Sequence, residues 1–196
     1  LYVGDRSRPD HWTRRAHDEG YAARSVFKLA ELEERFHVIP RGGRVLDLGC
    51  SPGSWSAFVI KQAGPGARVV GLDRSPTPDY PGTFVLASVY DVPAATLLEA
   101  LGGPADLVLS DMAPNTSGNR FADHVQQIEL ATQASEIALA ILAPGGTFVA
   151  KVFEGADARG FVEGLRDGFT AVKRLKPKAT RTESVEFFVV ATGRRG

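Results

Sequence analysis

From residue 44 onward, short β-branched or aliphatic runs alternate with longer stretches of helical periodicity. That alternation admits few folds: it is the pattern of a mostly parallel sheet wrapped by helices. Strands are predicted at 44–48 (RVLDL), 68–73 (RVVGLD), 83–87 (TFVLA), 106–111 (DLVLSD) and 146–152 (GTFVAKV). The first, fourth and fifth are nearly continuous apolar runs, as expected when both faces of a sheet are covered. Helices fill 54–63, 93–101 and 122–142, the last stopped by Ala143-Pro144-Gly145-Gly146. After a helix at 156–167, strands at 169–174 and 184–192 are joined by a link too short for a crossover helix, so this pair is antiparallel. The last strand then runs backwards, and it starts at the edge where the parallel strands end. Upstream, 24–37 (RSVFKLAELEERFH) reads as an amphipathic helix burying Val26, Leu29 and Phe36, with a shorter helix at 10–19 before it. The expected architecture is a Rossmann-like α/β fold with a seven-stranded sheet. It forms one domain over 1–196, with a helical segment over 1–40 and a sheet core over 44–196.

Composition narrows the function classes. With 43% hydrophobic and 23% charged residues the chain is an ordinary globular one. No apolar run is long enough for a membrane span, and the start LYVGDRSRPD has no signal-peptide core, so a cytoplasmic protein without a membrane partner is expected. Cys50 is the lone cysteine, and His11, His17, His37 and His124 are scattered, so neither a disulfide nor a metal site is expected. The 23 bases and 23 acids cancel, but they are segregated. Residues 1–28 hold six bases against four acids, and 166–196 hold eight against three, while 29–165 hold nine against sixteen. Basic ends folded onto one face would make a polyanion-binding surface; ordinary solvated surface charge is the alternative.

The first strand runs into Gly49-Cys50-Ser51-Pro52-Gly53-Ser54-Trp55, the cofactor position of an open α/β sheet. Only Gly49 and Gly53 are present, so the dinucleotide fingerprint is missing. Asp73, twenty residues after Gly53, ends the second strand, where a carboxylate accepts the hydroxyls of a ribose. A ribose site without a strong pyrophosphate cradle points to an adenosine cofactor such as S-adenosylmethionine, against a glycine turn that serves packing alone. Trp55 either lines the cofactor cleft or packs in the core, and Cys50 is a small buried residue.

Four polar residues stand out further on. The fourth strand ends in Asp111 and the fifth in Lys151, at the carboxyl edge where such sheets bind ligands. A lysine straight after GTFVA is unusual, because a buried ammonium is costly. Glu186 lies near the start of the reversed strand and reaches the same edge, while Lys28 sits on a helix whose placement periodicity leaves open. Each has a bland reading: Lys28 as a solvated residue near Glu31, Asp111 as a cap, Glu186 as a polar position on an edge strand. Their convergence at one edge argues for chemistry.

The segments GYAARSVFKL, VLDLGCSPGSWS, VVGLD, LVLSDMAPNTSG, LAPGGTFVAKVFEG and VEFFVVATGR, in this order and spacing, resemble the RrmJ/FtsJ family of ribose 2′-O-methyltransferases. The resemblance implies S-adenosylmethionine as cofactor and a catalytic tetrad at Lys28, Asp111, Lys151 and Glu186. It implies cofactor contacts at Gly53, Trp55, Asp73 and Asp111, beside Gly49 in the glycine loop. One position departs: where bacterial members carry an Asp near the adenine, this chain has Ser88, with Asp91 three residues on. The implied substrate is a uridine of 23S ribosomal RNA within the large subunit, and the implied enzyme a compact monomer.

In such a reaction the methyl moves by in-line displacement, so alignment and proton removal are the protein's tasks. Lys151 is the candidate base; burial and a cationic neighbour such as Lys28 would help it shed its proton, while Asp111 and Glu186 oppose this. Otherwise it orients the hydroxyl and stabilises the alkoxide. Lys176, Lys178 and Arg181 precede the strand bearing Glu186 and are expected to meet phosphates, joined by Arg14, Arg15 and Arg24 if the N-terminal segment folds over that edge. Transfer RNA ribose methylation is the alternative within the class. A non-catalytic RNA-binding assembly factor is the alternative outside it. An amino-methyltransferase fits less well, since Asp-Met-Ala-Pro at 111–114 only loosely matches its loop and leaves Lys151 unexplained.

Overall fold

A computed structural model of the chain describes residues 10–115, 117–181 and 184–196. Asp5, Arg6, Arg8 and Glu183, which entered the charge count, lie outside these. The elements are α1 His11–Asp18, α2 Val26–Phe36, β1 Arg44–Leu48, α3 Ser54–Ala63, β2 Arg68–Asp73, β3 Thr83–Leu86 and α4 Ala94–Leu101. Then follow β4 Ala105–Ser110, α5 Arg120–Ile141, β5 Leu142–Phe153, α6 Ala158–Gly168, β6 Phe169–Leu175 and β7 Glu186–Arg194. They build one seven-stranded sheet in the order β3-β2-β1-β4-β5-β7-β6, with β7 antiparallel to both its neighbours. This is the Rossmann-like α/β architecture expected from the alternation of elements.

Strand parity divides the side chains between two cores. Leu46, Leu48, Val108, Phe148, Ala150 and Val189 pack with α4, α5 and α6 on one face. Val45, Leu107, Leu109, Val149, Phe188 and Val190 pack with α2 and α3 on the other. The helix α2 is held by burying Val26, Phe27, Leu29 and Leu32, while Phe36 is only half-buried. It stops at His37, whose left-handed φ of 49° ends the helical run. The long α5 starts on Asn119, whose side chain accepts from the backbone N–H groups of Phe121 and Ala122.

Three boundaries differ from the sequence reading in ways that matter for the site. β4 stops at Ser110, so Asp111 is the first residue beyond it. Lys151 does not end β5: the strand continues to Phe153 because β7 goes on pairing with it, Lys151 opposite Phe188 and Phe153 opposite Glu186. β5 also begins at Leu142 rather than 146, since Leu142 pairs with Ala105 before the Pro-Gly-Gly segment bulges and pairing resumes at Thr147 with Leu107.

Candidate active site

The same parity builds the site. Asp111 shares its phase with Leu107 and Leu109, Lys151 with Val149, and Glu186 with Phe188 and Val190, so all three project toward the face covered by α2. The helix α2 supplies Lys28, whose ammonium forms an ion pair with Glu186; both side chains are almost fully buried. Lys151 Nζ lies 3.0 Å from Asp111 Oδ1 and donates to the Asp111 backbone carbonyl at 2.7 Å. The Phe188 ring, opposite Lys151 in register, also lies 5.8 Å from Lys28 Nζ, so one aromatic ring underlies both lysines. The solvated placement of Lys28 near Glu31 is therefore not what the fold makes: Glu31 pairs with Arg35 instead.

Beside this cluster opens a cavity of about 540 Å³, within the size of small-molecule sites. Its wall includes Gly49 and Ser51 of the glycine turn, Asp73 and Arg74 after β2, Ser88 and Tyr90 after β3, Asp111 to Asn115 after β4, and Gln126, Glu129 and Leu130 on α5. Asp73 is fixed at the entrance to the turn, accepting from Ser51 N at 3.0 Å and from Ser75 N at 2.8 Å. Gly49 has a φ of 71°, and a Cβ there would stand 2.5 Å from Met112 Cγ, so the turn needs glycine for both conformation and closeness. Three carboxylates, Asp73, Asp111 and Glu129, face one cation, Arg74, across this wall. Asp111 belongs to both features, bordering the cavity and pairing with Lys151.

Residues 21–194 match the FtsJ-like methyltransferase family. The chain belongs to that family. It is 44% identical over 189 residues to the ribosomal RNA large subunit methyltransferase E of Rhizorhabdus wittichii, covering 95% of this chain and 82% of that one. The protein of the same name from Desulfosudis oleivorans is 40% identical over 193 residues, covering 97% of this chain and 93% of its own. Among solved structures, a Plasmodium falciparum protein described as a ribosomal RNA methyltransferase superposes with a TM-score of 0.81 at 25% identity, over 90% of this chain and all of that one.

Within this FtsJ-like methyltransferase, two of the residues expected to contact a cofactor, Trp55 and Gly53, are not among those that line the cavity. Trp55 is 3% exposed and packs in the core against Phe188, its ring centroid 5.7 Å away, rather than lining the cavity. Its indole N–H donates to Ser25 O at 2.8 Å, so it ties α3 to the start of the helix that carries Lys28. Gly53 is also outside the cavity wall; with φ at 99° it caps α3 and donates to Cys50 O at 2.6 Å. Cys50 is buried, and burial pushes its thiol far up, so it offers no nucleophile.

Two buried polar residues escaped the sequence reading. Asp47 in β1 is 1% exposed and accepts from Ser56 Oγ at 2.6 Å, and the Tyr80 hydroxyl joins the same serine. Burial raises its carboxyl to about 7; the Ser56 hydrogen bond lowers it, while the nearby Asp111 and Asp73 charges add to the rise. The signal was present as one acid inside the apolar run RVLDL. Gln127 on α5 is 1% exposed and donates Nε2 to the Lys151 carbonyl at 2.9 Å. The last β4–β5 register pair is Ser110 with Ala150, so a side chain from α5 takes over where that ladder ends.

The two basic ends of this family member meet. Ala179, in the loop before β7, packs with Ala16, Val26 and Phe27, and Lys178 N donates to Glu31 Oε2 at 2.7 Å. Arg24 is a strut between them, ion-paired with Asp10 and donating to Ala179 O. Arg15 pairs with Glu19 at 2.7 Å and lies 4.6 Å from the Phe27 ring centroid. Lys176 donates to Ser184 O at 2.8 Å. Arg14, Lys176, Lys178 and Arg181 remain exposed on this face.

Proposed function

We propose that the chain transfers a methyl group from S-adenosylmethionine to a ribose 2′-hydroxyl of 23S ribosomal RNA, with Lys28, Asp111, Lys151 and Glu186 as the catalytic set. The observation that carries this reading is Asp111, which joins the cavity wall to the buried lysine pair. The cavity fits the cofactor in chemistry as well as size. Asp73 at the end of β2 suits a ribose, and the excess of carboxylates suits a cation. When bound, S-adenosylmethionine supplies an electrophilic methyl on a sulfonium that departs as a neutral thioether.

The protein's own residues then align the acceptor and remove its proton. Lys151 donates one N–H to Asp111 O and lies 3.0 Å from Asp111 Oδ1, and as the neutral amine it turns its lone pair to the incoming hydroxyl. Lys151 receives the hydroxyl proton as the oxygen forms its new bond. Asp111 holds that lysine from the cavity side, and the Lys28–Glu186 pair, anchored over Phe188, walls the other side. Relatives named for the large ribosomal subunit support the choice of RNA.

The test measures labelled methyl transfer to large subunits, small subunits and transfer RNA, followed by mapping of the modified ribose. Lys151→Ala is expected to bind the cofactor normally and to lose at least a hundredfold in transfer rate, in line with the usual contribution of general-base catalysis. The wild-type rate is expected to rise with pH. Near-normal transfer by the variant, or methyl groups found on base nitrogens, removes the proposal.

A further inference from the structure

The cavity wall includes, besides Asp73 and Asp111, the residues that follow β3. If Asp73 holds a ribose, the attached base extends away from β1, and in the strand order β3-β2-β1 that direction leads to the residues following β3. There the wall is Ser88, Val89 and Tyr90. Ser88 already accepts from Tyr90 N at 3.2 Å, and a serine hydroxyl is a weaker acceptor than a carboxylate. The same cavity is bounded on its α5 side by Gln126, Glu129 and Leu130. Because α4 packs against α5, Tyr90, just ahead of α4, is brought toward the first half of α5. Tyr90 and Glu129 line the same cavity, and burial, then the Glu129 charge, raises the Tyr90 phenol above its ordinary range.

We infer that Glu129 accepts a hydrogen bond from the exocyclic amino group of a 6-aminopurine, with the Tyr90 ring covering the base. This rests on the proposed use of S-adenosylmethionine and goes beyond it by naming what selects adenine. The chemistry is matched: a 6-amino group is a donor, and an ionised carboxylate only accepts. A 6-oxopurine presents a carbonyl oxygen there instead, an acceptor that gains no such bond. Tyr90, more than half exposed, offers a ring that either purine can lie against.

The test is calorimetric, on the full chain, with two probes that undergo no reaction: S-adenosylhomocysteine and its 6-oxo counterpart S-inosylhomocysteine. Wild-type protein is expected to prefer the adenosyl compound by about tenfold, the scale of one charge-assisted hydrogen bond. Glu129→Leu should weaken the adenosyl compound by about tenfold and leave the inosyl compound unchanged, so that discrimination collapses. Tyr90→Leu should weaken both compounds alike, while Tyr90→Phe, which keeps the ring, should change neither. Glu129 is exposed on its helix, and its substitution is checked against the wild-type melting curve. If Glu129→Leu keeps the full preference, or loses affinity for both probes equally, the inference is wrong and the cofactor reading stands. If wild-type protein binds neither probe, both are wrong.

Discussion

A single buried carboxylate makes the chain's stability depend on pH in an unusual direction. Asp47 titrates near 7 in the folded state, well above its unfolded value of 3.8. Between those values the folded chain binds more protons than the unfolded one, so this residue's contribution is fully present below the unfolded value and is lost as pH rises through 7. The slope approaches about 1.4 kcal/mol per pH unit for one such group. Asp47→Asn keeps an acceptor for Ser56 but removes the titration. Thermal unfolding between pH 4 and 8 is expected to show a flatter profile for the variant and higher stability than wild type at pH 8. Parallel profiles for the two proteins would show that Asp47 does not titrate in this range.

Between elements, the contact to watch is the one from α5 to β5. Gln127 donates to the carbonyl of Lys151, past the end of the β4–β5 ladder, and through that bond the helix holds the strand segment that aims Lys151 at Asp111. Gln127→Leu leaves that carbonyl buried without its partner and should cost about 1–3 kcal/mol in chemical unfolding. Turnover should fall while the KM for the cofactor stays near wild type, because the cavity wall is untouched. A rise in that KM with unchanged turnover would mean that the bond serves the cavity instead. Strand parity was readable in advance: residues 109 and 111, 149 and 151, and 186 and 188 are spaced two apart, and the acids and lysine share a face with the apolar partners. What could not be read was which helix covers that face. The amphipathic pattern of α2 points to Val26, Leu29 and Phe36 as its buried face, but the pattern is silent on the sheet face that covers them. For that reason Lys28 had no partner until the fold supplied Glu186, and Trp55, which taken alone reads as a core residue, kept the cleft as its alternative. Its hydrogen bond to Ser25 is a long-range choice that local periodicity does not encode.

Across the whole molecule, charge segregation becomes a surface. The N-terminal helices and the 176–181 loop touch through Arg24, Ala179 and Glu31, and thereby bring the exposed bases of the two ends together. Binding to RNA fragments should weaken steeply with salt, and Lys178→Ala with Arg181→Ala should lower the slope of log affinity against log salt by roughly one for each phosphate no longer neutralised. Arg24→Ala is expected to act differently, loosening the loop and lowering melting temperature, since its guanidinium is committed to Asp10 and the Ala179 carbonyl. An unchanged salt slope in the double variant would place the phosphates elsewhere.

The position of β7 has a consequence for how the molecule comes into being. It is synthesised after β6 yet lies between β6 and β5, so a nascent chain halted before residue 186 leaves the β5 edge bare and β6 with nothing to pair against. The strand that closes this gap is also the one that delivers Glu186 to Lys28. Closure of the sheet and formation of the Lys28–Glu186 pair are thus a single event, and a chain interrupted on the ribosome is an incomplete fold before it is an incomplete enzyme.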